Sequence, residues 1–212
     1  MIPLGQLSLG GPDAVSVNAV SVNTVSVNAV SVDTVSASTA TGPSRDRDEL
    51  RAVFGRFATG VTIVTAGRTH PHGMTANSFT SVSLTPPLVL VCVRREAAMH
   101  DVILDHGAYA VSVLSARQGH LARHFANRAR PRGGLEFAVA ESTPGRRTGA
   151  PIMAGSLAWF ECRLAAVYDG GDHSIFLGEV LDLGRVPDAD DALLFYGGGF
   201  HGLAPEAVPY RR

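Results

Sequence analysis

The stretch GMTANSFTSVSLTPP, residues 73–87, gathers hydroxyl and amide side chains in a chain that is 45% hydrophobic. Such side chains, with neighbouring backbone N–H groups, can hold a polar or anionic ligand. Written as a single strand over residues 74–83, alternation puts Thr75, Asn77, Phe79, Ser81 and Ser83 on one face. Met74, Ala76, Ser78, Thr80 and Val82 take the other. Two readings of the polar face stand at this point: cross-strand hydroxyl pairs on a solvated sheet face, or a cradle for the tail of a ligand. A second candidate is His173 in YDGGDHSIFLGEV, behind a Gly- and Asp-rich turn and at the head of an apolar strand. A histidine there is either a surface residue or a neutral hydrogen-bonding group at the mouth of a cleft.

Composition narrows the chemistry. All 18 basic residues are arginine and none is lysine. That excludes a lysine Schiff base and a P-loop lysine, and leaves phosphate binding to arginine, hydroxyls and backbone N–H groups. The net charge of −1 removes the bulk attraction that drives nucleic-acid binding. Cys92 and Cys162 sit in the apolar runs VLVCVR and WFECRL and read as buried small hydrophobes, with no metal-binding spacing. The pairs His70/His72 and His120/His124 lack the Glu of an HExxH motif and read as turn and helix-surface residues. GGGFHG has GxGxxG spacing but no helix or acidic partner behind it, so it is not a dinucleotide fingerprint.

The elements that must position these groups are mostly strands. Residues 14–38 repeat AVSVN-like pentapeptides, a period that gives neither a strand nor a helix a constant apolar face. Residues 1–44 are therefore expected to be a disordered extension, and residues 45–212 the folded domain. The domain opens with a helix carrying Leu50, Val53, Phe54 and Phe57 at i, i+3, i+4 and i+7. Strand-like runs follow at 61–66, 74–83, 88–94, 108–115, 136–141, 158–170, 174–184 and 193–197, with helices at 97–107 and 116–130. Strands that outnumber helices without alternating with them predict a mainly β, antiparallel barrel. No run is long enough to span a membrane. No basic residue precedes Arg45, so no secretory signal is read, and a cytoplasmic protein is expected.

FATGVTIVTA (57–66), GMTANSFTSVSLTPPLVLVCV (73–93), GAPIMAGSLAWFECRL (149–164), GDHSIFLGEV (171–180) and LLFYGGGFHGL (193–203) stand in one order over residues 46–204. Together they resemble the flavin reductase family with the FMN-binding split-barrel fold. The resemblance implies a six-stranded Greek-key split barrel with peripheral helices, homodimeric, binding FMN or FAD. It implies hydride transfer from NADH or NADPH, with NADH the default, and delivery of reduced flavin to a partner flavin-dependent monooxygenase. On this likeness Thr75, Ala76, Asn77, Ser78 and Phe79 run along the flavin, with Ser81, Val82 and Ser83 close behind. Cys92, Val93 and Arg94 match the next flavin-lining strand, His173 the histidine where nicotinamide docks, and Tyr196 and Phe200 the segment that closes over the site.

Two departures mark this chain. Ala97, Ala98 and Met99 stand where the family commonly places Ser or Thr near the flavin phosphate. Glu136 stands before Phe137, where a basic residue is common. Arg94, Arg95, Arg130 and Arg132 are the nearby cations available to compensate. The rival readings are a split-barrel flavoprotein oxidase of a small substrate and a non-enzymatic barrel binding nucleic acid or protein. The GDH histidine and closing aromatic favour a reductase over the first, and charge disfavours the second.

Overall fold

The computed structural model describes residues 46–186 and 191–203; the pentapeptide repeat and the expected 1–44 extension lie outside the described residues. Helix α1 (Arg47–Phe54) starts where the Asp46 side chain accepts the Asp48 N–H, and its first turn carries Asp48 and Glu49. Then come β1 (Thr59–Gly60), β2 (Thr62–Ala66), β3 (His72–Ala76), β4 (Thr80–Leu84) and β5 (Pro87–Arg94). Helix α2 (Ala98–His106), β6 (Ala108–Val113) and α3 (Gly119–Ala126) follow. The remainder is β7 (Ser142–Pro144), β8 (Pro151–Met153), β9 (Ala158–Gly170), β10 (His173–Arg185), β11 (Leu194–Tyr196) and β12 (Gly199–His201).

The principal sheet is antiparallel, in the order β3-β2-β6-β9-β10-β5-β4. Its outermost strands, β3 and β4, are consecutive in the chain and joined only by residues 77–79. Four Cα steps span at most about 14 Å, whereas six strand spacings of a flat sheet cover about 29 Å. The sheet is therefore strongly curled, bringing its two edges together at the bend.

Period-two burial explains why these runs became strands. In β2 every residue is buried, with Ile63 packed among Leu121, Phe125 and Met153 on one side, and Val64 and Ala66 among Val91, Val111 and Phe176 on the other. In β5, Val89, Val91 and Val93 enter that second cluster, while Cys92 and Arg94 face the opposite way. Helix α2 buries Met99 and Ile103 in the same cluster. Gly178 on β10 is where this core touches backbone. A Cβ there would lie 2.7 Å from Tyr109 Cζ and 2.9 Å from Cys162 Cβ, both fully buried. Gly178→Ala is expected to lose about 1–3 kcal/mol in chemical denaturation; parental stability would mean that the core yields there.

Three expectations change. Residues 74–83 do not form one strand, because the chain breaks at 77–79; counting β3 and β4 separately gives seven strands in the sheet rather than six. Residues 136–141 are not a strand. Gly133–Phe137 is a 3-10 turn, and Glu136 is fully buried as the acceptor of a polar cluster. The helix expected to reach residue 130 ends at Ala126. Asn127 is extended there, its carbonyl and side chain holding Arg130 and the Ala129 N–H. The glycines of GGGFHG form the β11–β12 hairpin. Tyr196 pairs with Gly199, and Gly197 and Gly198 between them have φ of 57° and 84°, a two-residue turn that needs glycine.

Candidate functional site

The bend at residues 77–79 leaves both strand ladders and opens onto a cavity of about 440 Å³. One wall is the end of β3 and the bend, with Met74, Thr75, Ala76, Asn77 and Ser78. A second is the end of β5 and the turn after it, with Cys92, Arg94, Glu96, Ala97 and Ala98. The third comes from the end of α3 and the segment behind it, with Phe125, Ala126, Arg128, Arg130 and Arg132. His72 and His173 complete the lining.

The structure thus gathers Thr75, Ala76, Asn77, Ser78, Cys92, Arg94 and His173 around one space. Phe79 is instead packed against the core, its ring centroid 5.3 Å from that of Phe160. Val93 is fully buried in that core because it sits one residue out of phase with Cys92 and Arg94. Ser81, Val82 and Ser83 lie on β4 outside the cavity, and Tyr196 and Phe200 on the separate β1-β11-β12 sheet.

The hydroxyls have a different employment from the one their composition suggested. Thr75 Oγ1 donates to the Ala122 carbonyl at 2.7 Å, tying β3 to α3. Ser78 Oγ donates to the Cys92 carbonyl and accepts the Cys92 N–H, both at 3.0 Å. One side chain thereby continues the β4–β5 ladder where backbone pairing has stopped. The hydroxyls hold the bend, and the cations are left to meet an anion.

Those cations divide by environment. Arg94 is 3.7 Å from Asp172, and Arg95 is turned away to Asp169 at 3.1 Å and the Gly171 carbonyl. Arg130 is almost enclosed, with Nε at 2.8 Å and a terminal nitrogen at 2.7 Å from Glu136 Oε1. It also donates to the carbonyls of Asn127 and Gly73. Glu136 accepts the Gly73 N–H at 3.1 Å and contacts His72 Nδ1 at 3.0 Å, and its own carbonyl receives His124 Nε2. Its acidic character is thus consumed in clamping the start of β3 to the segment behind α3. Glu136 cannot serve as the basic residue common at that place.

His173 heads β10 opposite Arg94 on β5, which puts it at the cavity's edge. Its Nδ1 lies 2.7 Å from Asp172 Oδ1. The hydrogen bond from His173, followed by the charges of His173, Arg94 and Arg47, holds the Asp172 carboxyl below its ordinary range. Asp172 is therefore ionised at neutral pH and accepts Nδ1–H of the imidazole, which leaves Nε2 for another partner. Burial pushes the Cys92 thiol up, and burial beside Glu161 pushes Cys162 up to about 12. Neither is a thiolate nucleophile at neutral pH.

The donor set suits a flat ring with an anionic tail. Small side chains at Ala76, Ala97 and Ala98 leave room beside the bend, backbone lies outside the ladders, and arginines rim the far side. Residues 54–204 match the family model described as a flavin reductase like domain. The chain belongs to this family. The NADH-dependent FAD reductase of Streptomyces globisporus is 52% identical over 163 residues, covering 77% of this chain and 89% of that protein. Among solved structures, BorF, the flavin reductase component of a bacterial two-component tryptophan halogenase, superposes with a TM-score of 0.72 at 54% identity. The match covers 76% of this chain and all of BorF. The Streptomyces globisporus NADH:FAD oxidoreductase SgcE6, in complex with NAD and FAD fragments, has a TM-score of 0.72 at 50% identity. It covers 76% of this chain and 95% of that one. The matched residues thus take in every wall of the cavity, from β1 to β12.

Sequence reasoning did not place His72, Met74, Glu96, Phe125, Ala126 or Arg128 at the site. The readable signal was the NRARPR run, which a helical assignment of residues 116–130 had absorbed.

Proposed function

We propose that the chain is an NADH-dependent flavin reductase that passes reduced flavin to a partner flavin-dependent monooxygenase. The observation that carries it is the convergence of the bend, the alanines, the arginines and His173 on one cavity in a domain of this family. The chemistry a bound FMN or FAD supplies there is acceptance of hydride from a reduced nicotinamide. The chain's own contribution is positioning. The backbone and side chains of residues 75–78, with Cys92, Arg94, Ala97 and Ala98, would hold the flavin. His173, oriented by Asp172, would receive the nicotinamide carboxamide on Nε2 and set the donor against the ring. No proton-transferring residue is required.

The fold reading is a split barrel, supported by the curl that brings the sheet's edges together at residues 77–79, with β3 and β4 as two halves of one Greek-key strand. The working unit is a homodimer. Helix α1 ends at Phe54, one turn short of the expected Phe57, and has no buried residue; Val53 and Phe54 on it are 62% and 70% exposed, Phe57 just behind it 77%, and Leu84 on β4 91%. Apolar surface of this extent calls for a covering partner. A second copy of the chain would also bring Ser81, Val82, Ser83, Tyr196 and Phe200 within reach of a site they do not line in one chain. The protein acts in the cytoplasm, where reduced nicotinamide is made.

The partner reading is tested by reconstitution. A flavin-dependent oxygenase component should form product from NADH and flavin only when the chain is present, and an equal rate without it would remove that role. The size test is light scattering in solution, where the chain is expected at twice its own mass; a monomer would refute the dimer.

A further inference from the structure

We propose that His100 is a positioning residue for flavin reduction: its bond to Ser174 fixes the Ala97–Ala98 wall of the cavity relative to His173, and so sets hydride donor against acceptor. The proposal rests on the flavin-reductase reading above. Ala97 and Ala98 line the cavity from the start of α2, and His173 lines it from the head of β10. Ser174, one residue beyond His173, points to the opposite face of the sheet, as strand alternation requires. There it is 3% exposed, pairs with Val93 and shares a face with Phe176. His100, in the first turn of α2, meets both of them. Its Nε2 is 2.9 Å from the Ser174 hydroxyl oxygen, and its ring stands edge-on to Phe176 with centroids 5.2 Å apart.

The surroundings leave this bond a specific task. The N-cap position of α2 is Ala97, which offers no side-chain cap, so the turn that lines the cavity lacks the usual local anchor. Backbone pairing between the two walls stops short of the alanines, its last contact being the Arg95 N–H to the Asp172 carbonyl at 3.2 Å. Met99 and Ile103 bury α2 in the core, but apolar burial is non-directional and does not set where along β10 the helix begins. A hydrogen bond does. This one is shielded from water, the His100 side chain being 13% exposed, which strengthens it. It also persists in either tautomer: an Nε2–H donates to Oγ, and a bare Nε2 accepts the hydroxyl proton. Asp101, exposed and 3.4 Å from Nδ1, lies on the other side of the ring.

Hydride transfer demands close alignment, and a misplacement of about 1 Å from a distant substitution costs up to about 100-fold. The test is stopped-flow flavin reduction at saturating NADH and flavin, with rates taken per folded chain from parallel thermal melts. His100→Ala and Ser174→Ala are each expected to slow reduction by about 10-fold. Ser174→Ala removes a single oxygen and keeps the test open if His100→Ala folds poorly. Flavin and NADH dissociation constants should stay within about threefold, while the charge-transfer absorbance of the NADH–flavin complex weakens. The double variant should also lose about 10-fold rather than about 100-fold, as a single shared contact requires. His100→Gln, which carries an amide donor and acceptor, should recover part of the rate. Parental rates in Ser174→Ala, multiplied losses in the double variant, or no recovery in His100→Gln would each overturn the proposal. So would a loss confined to flavin or NADH affinity, or one that disappears per folded chain. In all of these the parent still reduces flavin and the reading above stands, whereas a folded parent chain that reduces no flavin overturns the reading itself.

Discussion

Replacing His173 by alanine is expected to lower kcat/KM for NADH by about 10- to 100-fold, a loss of roughly 1.4–2.7 kcal/mol in transition-state stabilisation. Flavin affinity should stay within about twofold of the parent. The reasoning is geometric. His173 stands at the edge of the cavity on β10, opposite Arg94, and its Nδ1 is held by Asp172 at 2.7 Å. Removing the ring takes away the group that would orient the nicotinamide, and leaves in place the β3, bend and β5 residues proposed to hold the flavin. Asp172→Asn should give a smaller effect in the same direction, about 3- to 10-fold, because the ring remains but loses the anion that fixes its tautomer. Stopped-flow reduction at saturating flavin reads both variants. Unchanged kinetics in His173→Ala would remove His173 from the site.

The second large effect is on stability. Glu136→Ala is expected to cost about 3–5 kcal/mol, since it leaves Arg130 enclosed without its counter-charge and orphans the Gly73 N–H. For a domain of this size that corresponds to a fall in Tm of about 10 °C. The contrast is the exposed pair Arg163–Glu179, where Arg163→Ala should change stability by less than about 1 kcal/mol. The same chemistry thus gives two outcomes, decided by burial. If the two variants lost equal stability, the clamp between β3 and the segment after α3 would not be structural.

What the residues revealed in advance depended on how local the cause was. β9 and β10 were legible to within a residue or two, because long runs with alternating burial decide their own state. The bend at residues 77–79 was not, because Ser78 turns the chain by bonding to both backbone groups of Cys92, fourteen positions away. The same limit hid Glu136. EFAVAE has a strand's composition, but the carboxylate is drawn inward by Arg130, Gly73 and His72. The candidate residues line the cavity where strand phase was right. Cys92 and Arg94 face the cavity while Val93 between them enters the core, and a motif match alone does not resolve that alternation. The hydroxyls drew attention to the correct stretch for a reason the structure revises, since Thr75 and Ser78 build the wall. The arginines that rim the cavity were present in the sequence as NRARPR and lacked only the knowledge that α3 stops at Ala126.

The central claim, that this cavity brings reduced nicotinamide to a flavin, is tested most directly by mixing the purified chain with NADH and either FAD or FMN and following absorbance at 340 nm. Rapid loss of the NADH band that requires both chain and flavin is the predicted result. Absence of NADH oxidation with either flavin, on a folded chain, would contradict it.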